Sequence, residues 1–422
     1  MSSLCGTRNV AVRALRLPRL SSLRAFDHPG YFAVWLGALV STIGTWMETV
    51  AMGVYVTQET GRAEWTGGIA ALTFLPSVIL SPVGGALADR FDRRAYVAVG
   101  SVVQLLLAGV LTVLAFTHQL SVHAVGVVSL LNGCASTLIS PAFSAMLVEL
   151  VPPRDLHSAV SLNSAQYNLG RIIGPAAAGF VLAAGGAPWA LLINTLSFLA
   201  VLIALSRVRT PPRDMGKVAQ NLWKQIAQGI SVVRADADIP LMLWATLLVA
   251  GLVAPFIGLV PVFAIREFGQ GAAATSLLVA CQGAGAVTAA LVVGTLVDTL
   301  GQRKLLGIIS LAIGAVSALY WLAPTLPMAA TCIVLLGGSY MMMMTGLNSY
   351  CQSRVPREMQ ARMSSLYSMV LGGSYAAGVW GLGALSDRVG LRFVMVTSSV
   401  LFLALVLTLR LMRPRRFENA SS

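Results

Sequence analysis

Charge is scarce in this sequence. Asp, Glu, Lys and Arg make up 11% of its 422 residues, against about 25% in ordinary soluble domains. Acidic residues are scarcer still, 16 against 29 Lys plus Arg. So thin a polar coat cannot solvate a water-soluble fold of this size. The five cysteines, at 5, 134, 281, 332 and 351, include no CxxC pair, and all but Cys5 lie in apolar runs. That argues against a disulfide framework or a zinc site. The four histidines (28, 118, 123 and 157) form no HExxH, and His118 and His123 share a short loop as solvated residues. There is no Walker lysine, and "GAGAVT" from Gly283 lacks the strand and third glycine of a dinucleotide loop. Soluble enzymes, metal or nucleotide cofactors and ATP-driven pumping are set aside on these absences.

What the sequence has instead is apolar residues, 56% of the chain. They fall into runs at roughly 31–56, 66–88, 96–117, 122–150, 158–183, 187–206, 239–265, 272–297, 304–323, 328–352, 362–385 and 391–411. Each is about the 20 residues that a bilayer-spanning helix requires, and those beyond 25 residues should tilt. The fold class that follows is an all-α membrane protein of twelve transmembrane helices.

The net charge of +13 would point to nucleic acid in a soluble chain. Here it follows from topology. With the N-terminus inside, 24 of the 29 Lys and Arg fall on the cytoplasmic side, 4 (Arg62, Arg266, Arg388 and Arg392) fall outside, and Arg171 alone lies within a span. That asymmetry places both termini in the cytoplasm. Residues 1–30, with Arg8, Arg13, Arg16, Arg19 and Arg24, read as a basic cytoplasmic arm on anionic lipid rather than a signal peptide.

The longest loop, 208–238, divides the chain into six-helix bundles at 31–207 and 239–412, with a cytoplasmic tail at 413–422. Within that loop, Leu222, Ile226 and Ile230 recur at fours, the stripe of a helix lying on a membrane surface. The halves also repeat. "VPPRDLHSAVSLNS" from Val151 matches "VPREMQARMSSLYS" from Val355 at an offset of 204, and "GALADRFDRR" from Gly85 matches "GTLVDTLGQR" from Gly294 at 209. Two pseudo-symmetric bundles with a site between them make a transporter architecture.

At these residues the chain resembles the major facilitator superfamily. Gly85, Asp89, Arg90, Arg93 and Arg94 match its signature loop, and Gly294, Asp298, Arg303 and Lys304 form the degenerate copy. "DRFDRR", with Asp92 where glycine is commoner, "STIGTWMETVAMGVYV" and "NLGRIIGPAAAG" are similar to the branch containing the enterobactin exporter. The resemblance implies that Asp89 meets the start of the eleventh span near Arg362 and locks the inside gate, where a carboxylate also favours a helix N-terminus. Arg93 and Arg94 are placed to pair with Glu149. The alternative is that these charges only enforce orientation.

Gly170, Gly174, Pro175 and Gly179 resemble the fifth-span motif of superfamily exporters, with small residues for close packing and a proline to bend the span. The equivalent positions of span eleven are Ser374, Gly378, Val379 and Gly383, with Tyr375 at the place of Arg171. Ser164, Asn168, Arg171, Gly174 and Ala178 share one helical face. A buried arginine requires an anion, and Glu48 is the one acidic residue well inside a span, on a face with Ser41, Thr45 and Met52, while Val40, Ile43, Met47 and Val50 lie off that face and can meet lipid. The expectation is that Glu48 and Arg171 approach each other or face one water-filled cavity. Either they couple proton entry to transport, or they form a fixed structural pair. Thr45, Trp46, Asn132, Gln166, Asn168 and Asn348 are candidate cavity residues or interhelical bonds. In "SYMMMMTGLNSY", four successive methionines point four ways, so one or two reach a cavity.

The function read from the sequence is a secondary transporter of the bacterial inner membrane, not an enzyme. It is a proton-coupled exporter of an amphipathic small molecule (a drug, siderophore or other secondary metabolite) by alternating access. An uptake permease for a polar nutrient and a non-transporting sensor are the alternatives. Its partners are the lipid bilayer, protons and a small-molecule substrate, with no cofactor and no nucleic acid, and the chain acts as a monomer.

Overall fold

The computed structural model of the chain describes residues 21–208, 236, 238–356 and 359–412, without the side chains of residues 21, 22, 89, 361 and 410–412. The amphipathic stretch of the linker, residues 1–20 and the tail lie outside the described residues. All regular structure among the described residues is helical, because a helix satisfies its own backbone polar groups where no water is available.

Among the described residues twelve long rods follow one another. Spans one to six are Pro29–Thr60, Ala63–Phe74 continuing as Pro76–Arg90, Arg93–Phe116, Val122–Glu149, Leu156–Gly185 and Ala187–Arg207. Spans seven to twelve are Ile239–Phe268, Ala272–Leu300, Gln302–Leu322, Leu326–Ser353, Gln360–Val389 and Leu391–Met412. Ten are apolar enough to cross a membrane by composition alone. The two others, spans five and eleven, are 30 residues each; Arg171 and polar residues dilute one, glycine and serine the other.

Local signals set the ends. The Asp92 side chain caps span three by accepting from the Ala95 N–H at 2.8 Å, and Ser121 caps span four through the Ala124 N–H at 3.2 Å. Span one ends at Gly61 and span seven at Gly269, with φ of 61° and 64°, a left-handed turn that glycine adopts without strain. Span two is interrupted at Leu75, ahead of Pro76. Span seven widens to a π turn over Val249–Val253, and Gly378 of span eleven lies so close to it that a Cβ on Gly378 would sit 2.1 Å from the Gly251 carbonyl oxygen.

In the first bundle span one packs on spans five and six; in the second, span ten packs on spans eight and nine. The bundles touch each other along span two with eleven and span five with eight. With twelve crossings the start of span one and the end of span twelve lie at one face, here the terminal face; the opposite one is the far face. Toward the far face the bundles meet at backbone distance: a Cβ on Gly383 would sit 2.8 Å from the Ala63 carbonyl oxygen, and one on Gly283 2.9 Å from that of Arg171. Toward the terminal face span eleven meets the second segment of span two less extensively than the first, and Ser161 and Ser164 of span five are exposed. The bundles are joined at the far face and diverge toward the other.

Two expectations change. The arm does not extend to residue 30: Ser21–Asp27 forms a short helix docked on span five, with the Ala25 N–H donating to Ser158 Oγ at 3.0 Å and His28 bonded to Asp155 at 2.9 Å. Met47 and Val50, expected toward lipid, are buried. Lipid-facing stripes lie elsewhere, as at Val99, Leu106 and Val113 of span three, seven apart and exposed.

Candidate functional site

Span one organises the centre. Thr42 and Trp46, one turn apart, face span five exactly where that helix is bare: a Cβ on Gly174 would sit 2.6 Å from the Trp46 Cβ and 2.7 Å from the Ile43 oxygen, and one on Gly170 would meet Thr42. Gly44 and Glu48, also one turn apart, face span six, where Gly44 abuts Asn194 and Ser197 and the Asn194 amide donates to Glu48 Oε2. Residues two apart on a helix point about 200° apart. Trp46 therefore takes the side toward Arg171, and Glu48 is turned away. The two charges form no ion pair, so of the two arrangements expected from the sequence the direct approach is not the one the structure has.

Arg171 is 7% exposed and its guanidinium lies over the Trp46 ring, 5.5 Å from the centroid. Tyr167 meets the same ring edge to face at 6.3 Å. Arg171 makes no hydrogen bond to any described protein group, and its Nε is fully buried. Tyr340 of span ten and Tyr375 of span eleven lie within its electrostatic reach. The residues at equivalent positions of the two halves, Arg171 and Tyr375, thus lie on opposite bundles within electrostatic range of each other, and the Tyr375 ring packs on Phe74 of span two at 4.8 Å. Pro175 is buried in a helix that continues through it, and Gly179 faces span eight, where a Cβ added to it would sit 3.0 Å from the Ser276 Cβ.

Most of the candidate cavity residues are engaged elsewhere. Gln166 donates to Thr42 Oγ1 at 2.5 Å and is 4% exposed, a bond between helices. Asn168 donates to the Ser164 carbonyl at 2.8 Å and Thr45 to that of Ser41 at 3.0 Å, each within its own helix. Asn132 accepts from Gln104 at 3.0 Å and Asn348 from Gln352 at 2.9 Å. Of the four methionines, Met343 is buried.

At the terminal face Arg93 pairs with Glu149 at 2.5 Å. Arg94 does not join it; Arg94 donates to the Leu205 and Ser206 carbonyl oxygens at 2.8 and 3.3 Å. That puts a cation on the C-terminus of span six, the favourable end. Arg90 and Asp298 are exposed, and Arg362 stands in the first turn of span eleven beside Met359. The Asp89 side chain lies outside the described ones. In the second half, Arg303 pairs with Asp238 and bonds Tyr350 Oη at 2.7 Å, and Arg354 reaches the same carboxylate at 3.0 Å. The repeat keeps its arginine but takes its acid from the start of span seven, not the end of span ten.

Sequence reasoning missed the far-face cluster. Asp387, at the end of span eleven, accepts from the backbone N–H of Ala63 at 2.8 Å and of Glu64 at 2.9 Å, capping span two from the other bundle. Arg266, at the end of span seven, holds the same carboxylate at 2.6 Å and donates to the Gly61 oxygen at 2.6 Å. A signal was available: "GALSDR" from Gly383 repeats "GALADR" from Gly85 in five of six residues.

Two six-helix bundles, joined at one face and facing each other across a buried cation, define a transporter of the major facilitator fold. The chain belongs to the family of this superfamily described as transmembrane secretion effectors (MFS_3), matched over residues 20–422. Among curated proteins it is 22% identical to macrolide efflux protein A of Streptococcus pyogenes, covering 89% of this chain and 94% of that one. It is 26% identical to the enterobactin exporter EntS of Salmonella typhimurium, covering 93% and 94%. Among solved structures it superposes on a bacterial homolog of the human lysosomal transporter Spinster, with TM-score 0.73 and 16% identity over 92% of this chain and 97% of that one. It is therefore a multi-pass membrane transporter with efflux-type relatives.

Proposed function

We propose that the chain is a proton-coupled exporter of amphipathic small molecules in the bacterial inner membrane, working by alternating access with both termini in the cytoplasm. The orientation rests on the Lys and Arg count, 24 against 4. In that orientation the bundles diverge toward the cytoplasm and close at the outside. The observation that carries the reading is the Asp387 cluster: the carboxylate of one bundle caps a helix of the other, a closure that must break for the outside to open. Asp89 is its counterpart for the inside gate, with Arg93 and Glu149 bracing that loop. Export, rather than uptake, agrees with the relatives named for efflux and export.

Glu48 is the proton-carrying group in this reading. It is an ionisable residue near the middle of a span, positioned by the Asn194 amide. The test uses vesicles containing the purified protein, loaded with carboxyfluorescein or ethidium, with and without an imposed pH gradient. At least one dye should move faster with the gradient, and Glu48→Gln should lose the acceleration while retaining downhill exchange. Gradient-independent movement in the wild type, or an unaltered response in Glu48→Gln, would remove proton coupling from the proposal.

A further inference from the structure

With Glu48 engaged by span six, the charge on Arg171 is left without a counter-ion among the described residues, and this needs an explanation. Taking a guanidinium out of water is costly unless it is paired and hydrogen-bonded. A guanidinium carries five N–H donors; Arg171 gives none of them to a described protein group, and its Nε is buried without a partner. The Trp46 ring at 5.5 Å covers one face of the cation, a contribution well short of the desolvation cost. Next to Gly283, which packs on the Arg171 backbone, Gln282 is 1% exposed with both amide atoms unbonded. A fold that needed Arg171 only for packing would have satisfied these donors, or placed an uncharged residue there as the second half does with Tyr375.

We propose that Arg171 is the anchor of a substrate subsite for an organic anion, so that the cargo carries a carboxylate or similar acidic group on an apolar, ring-bearing body. This rests on the reading of the chain as a transporter with a central site. The guanidinium supplies charge and paired donors, the geometry that favours a planar carboxylate. Trp46 and Tyr167 offer ring surface from the first bundle, and span eight of the second bundle packs on the Arg171 backbone through Gly283. The charge lies where the bundles meet, at the inner end of a span-five face that is exposed at Ser161 and Ser164. An anion arriving along that face meets Arg171 and, across it, the opposite bundle. Binding there links cargo to the relative position of the two halves.

The test is calorimetric titration of the full-length protein in nanodiscs of uncharged lipid, at pH 7.5, with three probes of one shape: 2-naphthoate, 2-naphthylmethanol and 2-naphthylmethylammonium. The wild type should bind the anion roughly tenfold more tightly than the alcohol, the scale of one charge-assisted hydrogen bond, and the ammonium least. Arg171→Lys should keep that order with a smaller margin, and Arg171→Gln should abolish it. Equal binding of the three probes by the wild type, or binding of none, overturns the proposal without any variant; so does an undiminished preference for naphthoate in Arg171→Gln. No transport is read in this experiment, so absence of dye movement in vesicles leaves the subsite standing, and failure here leaves transport to be judged by the vesicle assay.

Discussion

At the residue scale, two glycines of recognisable motifs have different duties. Gly174 has no space for a side chain, because Trp46 and the Ile43 oxygen occupy it, whereas Gly85 faces open space. Gly174→Val should therefore lower the thermal stability of the purified protein by about 1–3 kcal/mol, the range of overpacked sites, and Gly85→Ala should leave melting unchanged. Equal melting temperatures for Gly174→Val and the wild type would contradict the packing described. Glu48 makes a second case. Its bond from Asn194, itself 1% exposed, survives in Glu48→Gln, which keeps an acceptor. Glu48→Leu strands the buried amide at a cost of about 1–3 kcal/mol, so Leu should melt clearly below Gln. If both variants melt alike, the Asn194 contact contributes nothing.

At the scale of elements, the far-face closure is a helix cap supplied in trans. Span two begins at Ala63 with no cap from its own N-cap residue, Arg62, and Asp387 fills that role from span eleven. Removing the carboxylate in Asp387→Ala loses charge-assisted bonds worth about 2 kcal/mol. That should move the balance toward the outside-open state roughly thirtyfold. In a chain otherwise free of cysteine, Thr45→Cys should then react faster with an impermeant thiol reagent added outside cells. An unchanged labelling rate would show that Asp387 does not hold the gate. The Asp89 loop is expected to act oppositely: Asp89→Asn should reduce transport far more than protein abundance, and wild-type transport would cancel its gating role.

At the scale of the whole molecule, orientation decides which gate the described state has closed. Gln119 lies exposed at the far face and Asp92 at the terminal face. Single cysteines at these positions should separate cleanly in intact cells: Gln119→Cys labelled from outside, Asp92→Cys labelled only after permeabilisation. The reverse pattern would invert the topology and, with it, the assignment of the Asp387 cluster to the outside.

The twelve spans, their division into related halves and the loop that marks the superfamily were legible in the sequence, because run length, local charge and a constant repeat offset are properties of the chain read in one direction. So was the Arg93–Glu149 pair, whose members sit at adjoining helix ends. Whether Glu48 meets Arg171 was not legible. Both were known to be inside spans, but their meeting depends on the rotation of span one, and that is set by the bare faces of Gly170 and Gly174, which draw Thr42 and Trp46 toward span five and leave Glu48 to span six. The Asp387 contact lay in the sequence as "GALSDR", yet its meaning depends on span eleven of one bundle lying beside span two of the other. Composition and periodicity place each helix across the bilayer; which of its faces meets which neighbour follows from close packing between helices far apart in the chain, and only the tertiary structure decides that.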